Sequence, residues 1–537
     1  MPTVREVTYN LLREFGMTKI FGNPGSSELP FLKDMPPDFD YVLGLHERVA
    51  AGMALGYALG RDQAAFVNLH SIASAGNGLS ALIDALYSHA PLVVTTGQQD
   101  RRQLMAEPFL VSRAAEVVKP YVKWSCEPLR AEDVPAAIAR GYYLAMQPPR
   151  GPVFISIPMD DWNKPCDPVP ARRVTQTVLP DAAALDEVVR AIDASQKLAL
   201  VAGAQIEEDG ANRAVVALAE KLNADVYAEP IAPRWAFPRS HRLLRGALLP
   251  ARKPLADQLA GYDTVVVLGA PVFLYYAFVP GDAIAPGTKL FQVTNSPQDA
   301  SVALAGTSIV GHLKAAAEYL LSRVKSAGRQ APARAKPPAP AASHPMTCAY
   351  VFHTLNRLMP RDAIIAEECP SSKGDLDRYV ELDEPGSFHS VRTGILGFAA
   401  PAAVGLQLAS PNRRVICAVG DGSLQYSVQA LWSAVQSKAP VIFLVIANGN
   451  YSALKGFRDF TRVGDNVPGI DIPGIDAAKI AQGYGMTARS VESAEDLEPA
   501  LKCAFASKEP CLISVTVQQG GQKTMGMDQS VNPPNYG

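Results

Sequence analysis

Short runs rich in Val, Ile, Leu and Ala alternate along this chain with longer stretches whose apolar residues recur at helical spacing. This is the pattern of parallel α/β units whose strands are buried on both faces. The alternation falls into three blocks. In the first, YVLGLHE (41–47), AAFVNLH (64–70), PLVVTTG (91–97) and PVFISIP (152–158) read as strands separated by Ala-rich helices such as ERVAAGMALGYALG, and the block closes near Trp162, where NKPCDPVPARR reads as loop. The second block carries LALVAG (198–203), DVYAEP (225–230), TVVVLGAP (264–271) and KLFQVTN (289–295), and ends in a helix around 311–324. Residues 325–345 are rich in Pro, Ala and basic residues without apolar periodicity, which predicts an exposed linker. The third block holds AIIAEE (363–368), RVICAVGDGS (414–423), VIFLVIANGN (441–450) and CLISVTV (511–517), before a polar, Gly/Pro-rich tail from Gln518. The expected architecture is α/β: three doubly wound parallel-sheet domains at 1–170, 180–325 (Rossmann-like) and 346–518, with a linker at 326–345 and a tail at 519–537.

The length of 537 residues exceeds what one hydrophobic core sustains and agrees with that division. Lys+Arg 50 against Asp+Glu 52 gives no basic footprint, so nucleic acid is not an expected partner. The seven cysteines (126, 166, 348, 369, 417, 503, 511) are scattered and never fall in a CxxC or Cys/His zinc spacing, which predicts reduced thiols in a cytoplasmic protein. The N-terminal MPTVREVTYNLLREFG reads as an amphipathic helix and lacks the apolar run and cleavage site of a signal peptide. No uncharged apolar stretch reaches the roughly 18 residues of a membrane span, so none is expected. A dinucleotide-dependent dehydrogenase is disfavoured, because no G-x-G-x-x-G run opens a helix at a strand end.

The most informative chemistry lies in the third block. Gly420-Asp421-Gly422-Ser423 follows one apolar strand, and Asn448 follows another, with residues 423–447 between them. Glycines at a strand-to-helix turn let the backbone approach phosphate oxygens. An Asp carboxylate and an Asn amide oxygen are hard ligands suited to Mg²⁺ or Ca²⁺, which would bridge protein and diphosphate. Gly-Asp-Gly alone is also a common turn. In the first block Glu47 stands at the end of a predicted strand before a helix, where a carboxylate also meets the helix dipole. His70 ends the next strand, where a histidine can cap a helix.

The spacing of Gly-Asp-Gly to Asn448, with HERVAAGMA around Glu47, resembles thiamine-diphosphate-dependent enzymes over nearly the whole chain, and most closely the benzoylformate decarboxylases. The strings FGNPGSSELPFLKD (21–34), FVNLHS (66–71), GNGLSALIDALYSHAPLVVTTGQQ (76–99), GPVFISIPMDDW (151–162), GAPVF (269–273) and NVPGIDIPGID (466–476) carry that closeness. The resemblance implies a pyrimidine-binding, a middle and a diphosphate-binding domain. It implies that Asp421, the Asn448 side chain and the Asn450 carbonyl hold the metal, while Gly420, Gly422, Ser423 and Tyr451 approach the diphosphate. It gives Glu47 the hydrogen bond to N1′ of the aminopyrimidine that makes its amine able to take the C2 proton. Leu396 becomes the bulky support under the bent cofactor, and the Gly394 carbonyl the acceptor of the amine. Ser26 is placed on the substrate carboxylate and His70 on the substrate oxygen, and a homodimer becomes the minimum unit, with a tetramer the usual assembly.

Two departures bear on the substrate. Tyr276, in LYYAF after GAPVF, stands where the benzoylformate decarboxylases have a second histidine, and phenol, with a pKa of about 10, is a reluctant proton donor to carbon. Ser390, in SFHSVR (387–392), stands where an aromatic pocket residue is expected. Phe109, Leu110, Leu454 and Phe457 suggest an apolar pocket, while His389 and Arg392 fit either a polar substrate or a solvated surface. The expected activity is therefore decarboxylation of a benzoylformate-like 2-keto acid. A carboligase or 2-hydroxyacyl lyase using an aldehyde or acyl-thioester partner is the alternative, and a non-catalytic relative the more distant one. Whether the middle block binds a nucleotide is open, with a scaffold role favoured.

Overall fold

The computed structural model describes residues 1–326, 328–329 and 334–519; beyond residue 519 the expected tail lies outside them. The chain forms three six-stranded sheets in which every strand pair is parallel. The first sheet comprises β1 (Lys19–Asn23), β2 (Asp40–Leu43), β3 (Ala65–Leu69), β4 (Leu92–Gln98), β5 (Trp124–Cys126) and β6 (Pro152–Pro158), in the order β2-β1-β3-β4-β6-β5. The second comprises β7 (Leu198–Ala202), β8 (Asp225–Ala228), β9 (Leu244–Ala247), β10 (Thr264–Leu268), β11 (Lys289–Thr294) and β12 (Thr307–Val310), ordered β9-β8-β7-β10-β11-β12. The third comprises β13 (Ile364–Glu368), β14 (Phe388–His389), β15 (Val415–Gly420), β16 (Ile442–Ala447), β17 (Thr487–Val491) and β18 (Cys511–Thr516), ordered β14-β13-β15-β16-β18-β17.

The apolar runs became the interior strands because residues such as Phe66, Val67, Val93 and Val94 are covered on both faces of the sheet. Strands without such a run escape a hydrophobicity reading. β17 is mostly exposed, β14 is two residues long, and β1, β5, β9 and β12 are short or interrupted by polar residues and glycine. One predicted boundary also moves: β2 ends at Leu43, not at residue 47. His46 then caps the Glu47–Arg61 helix, its Nδ1 accepting from the Arg48 N–H at 3.1 Å, so Glu47 is the first helical residue.

The first and third domains meet through that helix and the Ala399–Ala409 helix. Their sequences explain the close approach. A Cβ on Gly56 would lie 2.1 Å from the Ala402 carbonyl oxygen, and one on Gly405 would lie 1.9 Å from that of Met53, so neither position admits a side chain. No helix among the described residues is long and apolar enough to cross a membrane.

Candidate active site

In both outer sheets the chemistry-bearing residues follow the C-terminal ends of strands, where open α/β sheets form ligand crevices. In the first domain the buried Glu47 carboxylate accepts from Asn23 Nδ2 at 3.2 Å and from Asn77 Nδ2 at 2.9 Å, which fixes both oxygens. His70 directly follows β3, and its ring does not cap the helix behind it. Its Nδ1 instead lies 2.8 Å from Glu28 Oε2 and 3.0 Å from Ser27 Oγ. Glu28 is fully buried and also accepts from the Gly97 and Gly25 N–H groups and from Ser27 Oγ, at 2.8, 2.9 and 2.9 Å. An acceptor so saturated requires the hydrogen on Nδ1, which leaves Nε2 as the nitrogen available for proton transfer. Ser26 lies exposed on the same loop. Ser27, Glu28, Asn23 and Asn77 were not singled out in the sequence, because scattered polar residues in turns have no periodicity. The acidic residue in GNPGSSE was the one available signal.

In the third domain Asp421 begins a short helix at the end of β15. Its Oδ1 accepts from the Gly422 N–H at 2.9 Å, and its Oδ2 from the Asn448 and Gly449 N–H groups at 3.1 and 2.8 Å. Burial pushes this carboxyl above its ordinary value, against those three backbone donors. Asn448 Oδ1 accepts from the Asn450 N–H at 3.1 Å, and Ser452 Oγ bridges Asn448 Nδ2 and Asn450 Oδ1 at 3.1 and 2.6 Å. Among the described residues no group of three His, Cys, Asp or Glu side chains is arranged to hold a metal ion; this cluster offers one carboxylate with amide and backbone oxygens. Gly422 admits the close approach of its neighbours, since a Cβ there would lie 2.5 Å from the Tyr451 ring and 2.9 Å from Ile472. Ser423 is buried beside it.

The Gly394–Leu396 turn follows β14. Gly394 takes the left-handed conformation at φ 71° and Leu396 is half-buried. Just beyond it, the fully buried Glu368 accepts from the Gly397, Phe398 and Ala399 N–H groups at 2.6, 2.6 and 2.7 Å.

The pocket residues divide between elements. Tyr276, from the middle domain, lies with its ring 5.4 Å from that of Phe457, while Leu454 and Phe109 are exposed and the Leu110 carbonyl accepts from Ser71 Oγ next to His70. The segment before the Gly394 turn corrects one expectation, because His389, Ser390 and Arg392 are neither solvated nor free to meet a substrate. His389 is buried, Ser390 Oγ donates to Glu367 at 2.9 Å, and Arg392 reaches Glu229 and Asp299 of the middle domain at 3.5 and 3.7 Å. Burial against the sheet edge overrode their polarity. The middle sheet has a dinucleotide-type strand order, and Gln205 packs against Gly269 near the strand ends where that order reverses. Gln205 is fully buried and bonded to Thr294, Asn295 and Asp299.

Comparison with known proteins gives this arrangement its context. Three family models match: the N-terminal TPP binding domain of thiamine pyrophosphate enzymes over residues 2–113, their central domain over 185–320, and their C-terminal TPP binding domain over 371–515. The benzoylformate decarboxylase of Pseudomonas aeruginosa is 45% identical over 96% of this chain and 99% of its own. Two solved structures superpose along nearly the full length. The benzoylformate decarboxylase of Polynucleobacter necessarius does so with a TM-score of 0.95 and 38% identity, covering 97% of this chain and 100% of that one. The thiamine diphosphate-dependent 4-hydroxybenzoylformate decarboxylase of Rhodococcus jostii RHA1 does so with 0.93 and 40%, covering 98% and 100%. With the Glu47 and Asp421 clusters falling in the two matched TPP binding domains, the chain belongs to the thiamine pyrophosphate enzymes and takes thiamine diphosphate as its cofactor.

Proposed function

We propose that this enzyme decarboxylates a benzoylformate-like 2-keto acid without oxidation, releasing CO₂ and an aldehyde. The observation that carries the proposal is the presence in one domain of a buried carboxylate fixed by two amides, Glu47, at the start of a helix, and a histidine fixed by a buried carboxylate, His70, at a strand end. The same activity is named for the P. aeruginosa and R. jostii relatives.

The residues present fit the cofactor and a divalent cation. The oxygen set of Asp421, Asn448 and Asn450 suits Mg²⁺ or Ca²⁺, and a cation would offset the burial of the Asp421 charge. Gly420, Gly422, Ser423 and Tyr451 would border the diphosphate, with Gly394 and Leu396 on the pyrimidine and thiazolium side. When bound, thiamine diphosphate supplies a carbon nucleophile and an acceptor for the electrons released with CO₂. Glu47 would hold a proton at the pyrimidine side of the bound cofactor, and the two Asn amides keep its carboxylate from rotating away. Ser26 orients the substrate carboxylate. His70 passes a proton to and from the former carbonyl oxygen through Nε2, since its other nitrogen is committed to Glu28. Phe109, Leu110, Leu454 and Phe457 enclose the substrate side chain. Each site is completed between two copies of the chain, in a dimer or tetramer, as the family resemblance implies. The scattered cysteines, none in a CxxC spacing, favour a cytoplasmic location.

Tyr276 supports a second reading. Half-exposed against Phe457, it offers a phenol where proton delivery to carbon is needed, and slow delivery favours carboligation or lyase chemistry with an aldehyde. The test follows CO₂ and aldehyde from a panel of 2-keto acids that includes benzoylformate, with thiamine diphosphate and Mg²⁺ present. Rapid aldehyde release is expected, whereas bound cofactor without release would transfer the assignment to carboligation.

A further inference from the structure

The residue after Glu47 has a partner in another domain. Arg48 is 4% exposed, and its guanidinium crosses from the first domain to the third. Its Nε donates to the Gly397 carbonyl at 3.2 Å and its Nη2 to the Leu396 carbonyl at 3.3 Å. Nη2 also lies 2.6 Å from Asp84 Oδ2, in a pair buried on both sides. The other Asp84 oxygen accepts from Thr393 Oγ1 at 2.5 Å, and Thr393 Oγ1 accepts from the Ile395 N–H at 3.1 Å. The turn from Thr393 to Gly397 is thus gripped from the first domain, while Glu368 holds its far end through three backbone N–H groups.

A buried ion pair costs desolvation, which only good geometry and further hydrogen bonds offset. Here the further bonds all go to one turn. We propose that Arg48, Asp84 and Thr393 form an interdomain latch that sets the position of the Gly394–Leu396 turn, which makes Arg48 a positioning residue for the bound cofactor. The proposal rests on the reading above that Gly394 and Leu396 meet the cofactor. Because Glu47 and Arg48 are consecutive in one helical turn, the latch also ties the Glu47 carboxylate to the Gly394–Leu396 turn of the same chain, and so couples the two sites that a pair of chains would share.

The test measures hydrogen–deuterium exchange at C2 of the bound cofactor, together with cofactor affinity at fixed Mg²⁺, in the wild-type holoenzyme and in Arg48→Lys, Arg48→Met, Thr393→Val and Glu47→Gln. Arg48→Lys and Thr393→Val are expected to slow exchange about tenfold and Arg48→Met up to about 100-fold, with affinity changed no more than about threefold. Thr393→Val removes no buried charge and carries the test if Arg48→Met does not fold. Wild-type exchange in Thr393→Val and Arg48→Lys, with the loss confined to the melting temperature, would overturn the latch and leave a merely structural ion pair. Wild-type exchange in Glu47→Gln would instead overturn the underlying site reading, and the latch with it.

Discussion

The first and third domains share one strand order, in which the third strand of each sheet lies between the first and fourth, and each hangs its chemistry on that third strand: His70 after β3 and Asp421 after β15. They hold it by different means. In the first domain the site side chains are fixed largely by other side chains, Glu47 by Asn23 and Asn77 and His70 by Glu28 and Ser27. In the third, Asp421 and Glu368 are fixed by backbone N–H groups. Side-chain partners suit groups that exchange protons, because their donors and acceptors tune the charge state. Backbone amides give a rigid frame suited to a cation and a diphosphate, whose positions must not vary.

Substitutions that attack one frame at a time sharpen this contrast. The largest effect is expected from Glu47→Gln, which should remove C2 exchange and lower turnover by roughly 10²- to 10⁴-fold while cofactor affinity, read by calorimetry, stays near wild type. Asp421→Ala should do the reverse, weakening cofactor binding so far that excess Mg²⁺ does not restore it; unchanged affinity would contradict the metal assignment. Intermediate effects are expected from two glycines. A Cβ on Gly25 would lie 2.3 Å from the His70 ring, so Gly25→Ala should lower kcat, by about 10²-fold, more than it alters cofactor affinity. Gly422→Ala, which presses on Tyr451, should raise the cofactor Kd first.

The smallest effect concerns the middle domain and the frame between the two sites. Burial pushes Glu207, Glu229 and Glu368 up to about 7 from the ordinary 4.5. Between those values the fold retains protons that the unfolded chain has shed, so stability falls as pH rises from about 4.5 to about 7, and the whole cost is present above. His389, which burial holds neutral down to about 3, acts in the opposite sense below its ordinary 6.5. The melting temperature should therefore rise by a few degrees from about pH 8 to about pH 6.5, and Glu207→Gln should flatten part of that rise. A flat profile in the wild type would place these carboxylates in a wetter environment than the fold shows.

Much of the architecture was legible in the residues. The interior strands announced themselves because a strand covered on both faces must be apolar throughout, and Gly-Asp-Gly with Asn448 pointed to the strand-end turns where the Asp421 cluster gathers, because few residue types supply hard oxygens on a turn that tight. Glu47 and His70 were legible through HERVAAGMA and FVNLHS, strings tied to particular strand ends. Less legible were the partners. Ser27 and Glu28 reach His70 from a different loop, and Arg48, Asp84 and Thr393 converge from separate positions across two domains. His389 and Arg392, ambiguous in sequence, proved buried, with Arg392 turned toward the middle domain, and Ser390 between them in the chain donates to Glu367.

By itself, then, the sequence determined the fold class, the family and the residue types at each strand end, because these depend on local polarity, backbone freedom and short-range spacing. Only the tertiary structure decided which oxygen meets which nitrogen across the domains, because hydrogen-bond geometry between distant segments depends on how the sheets and their connecting helices pack, and no local pattern encodes that.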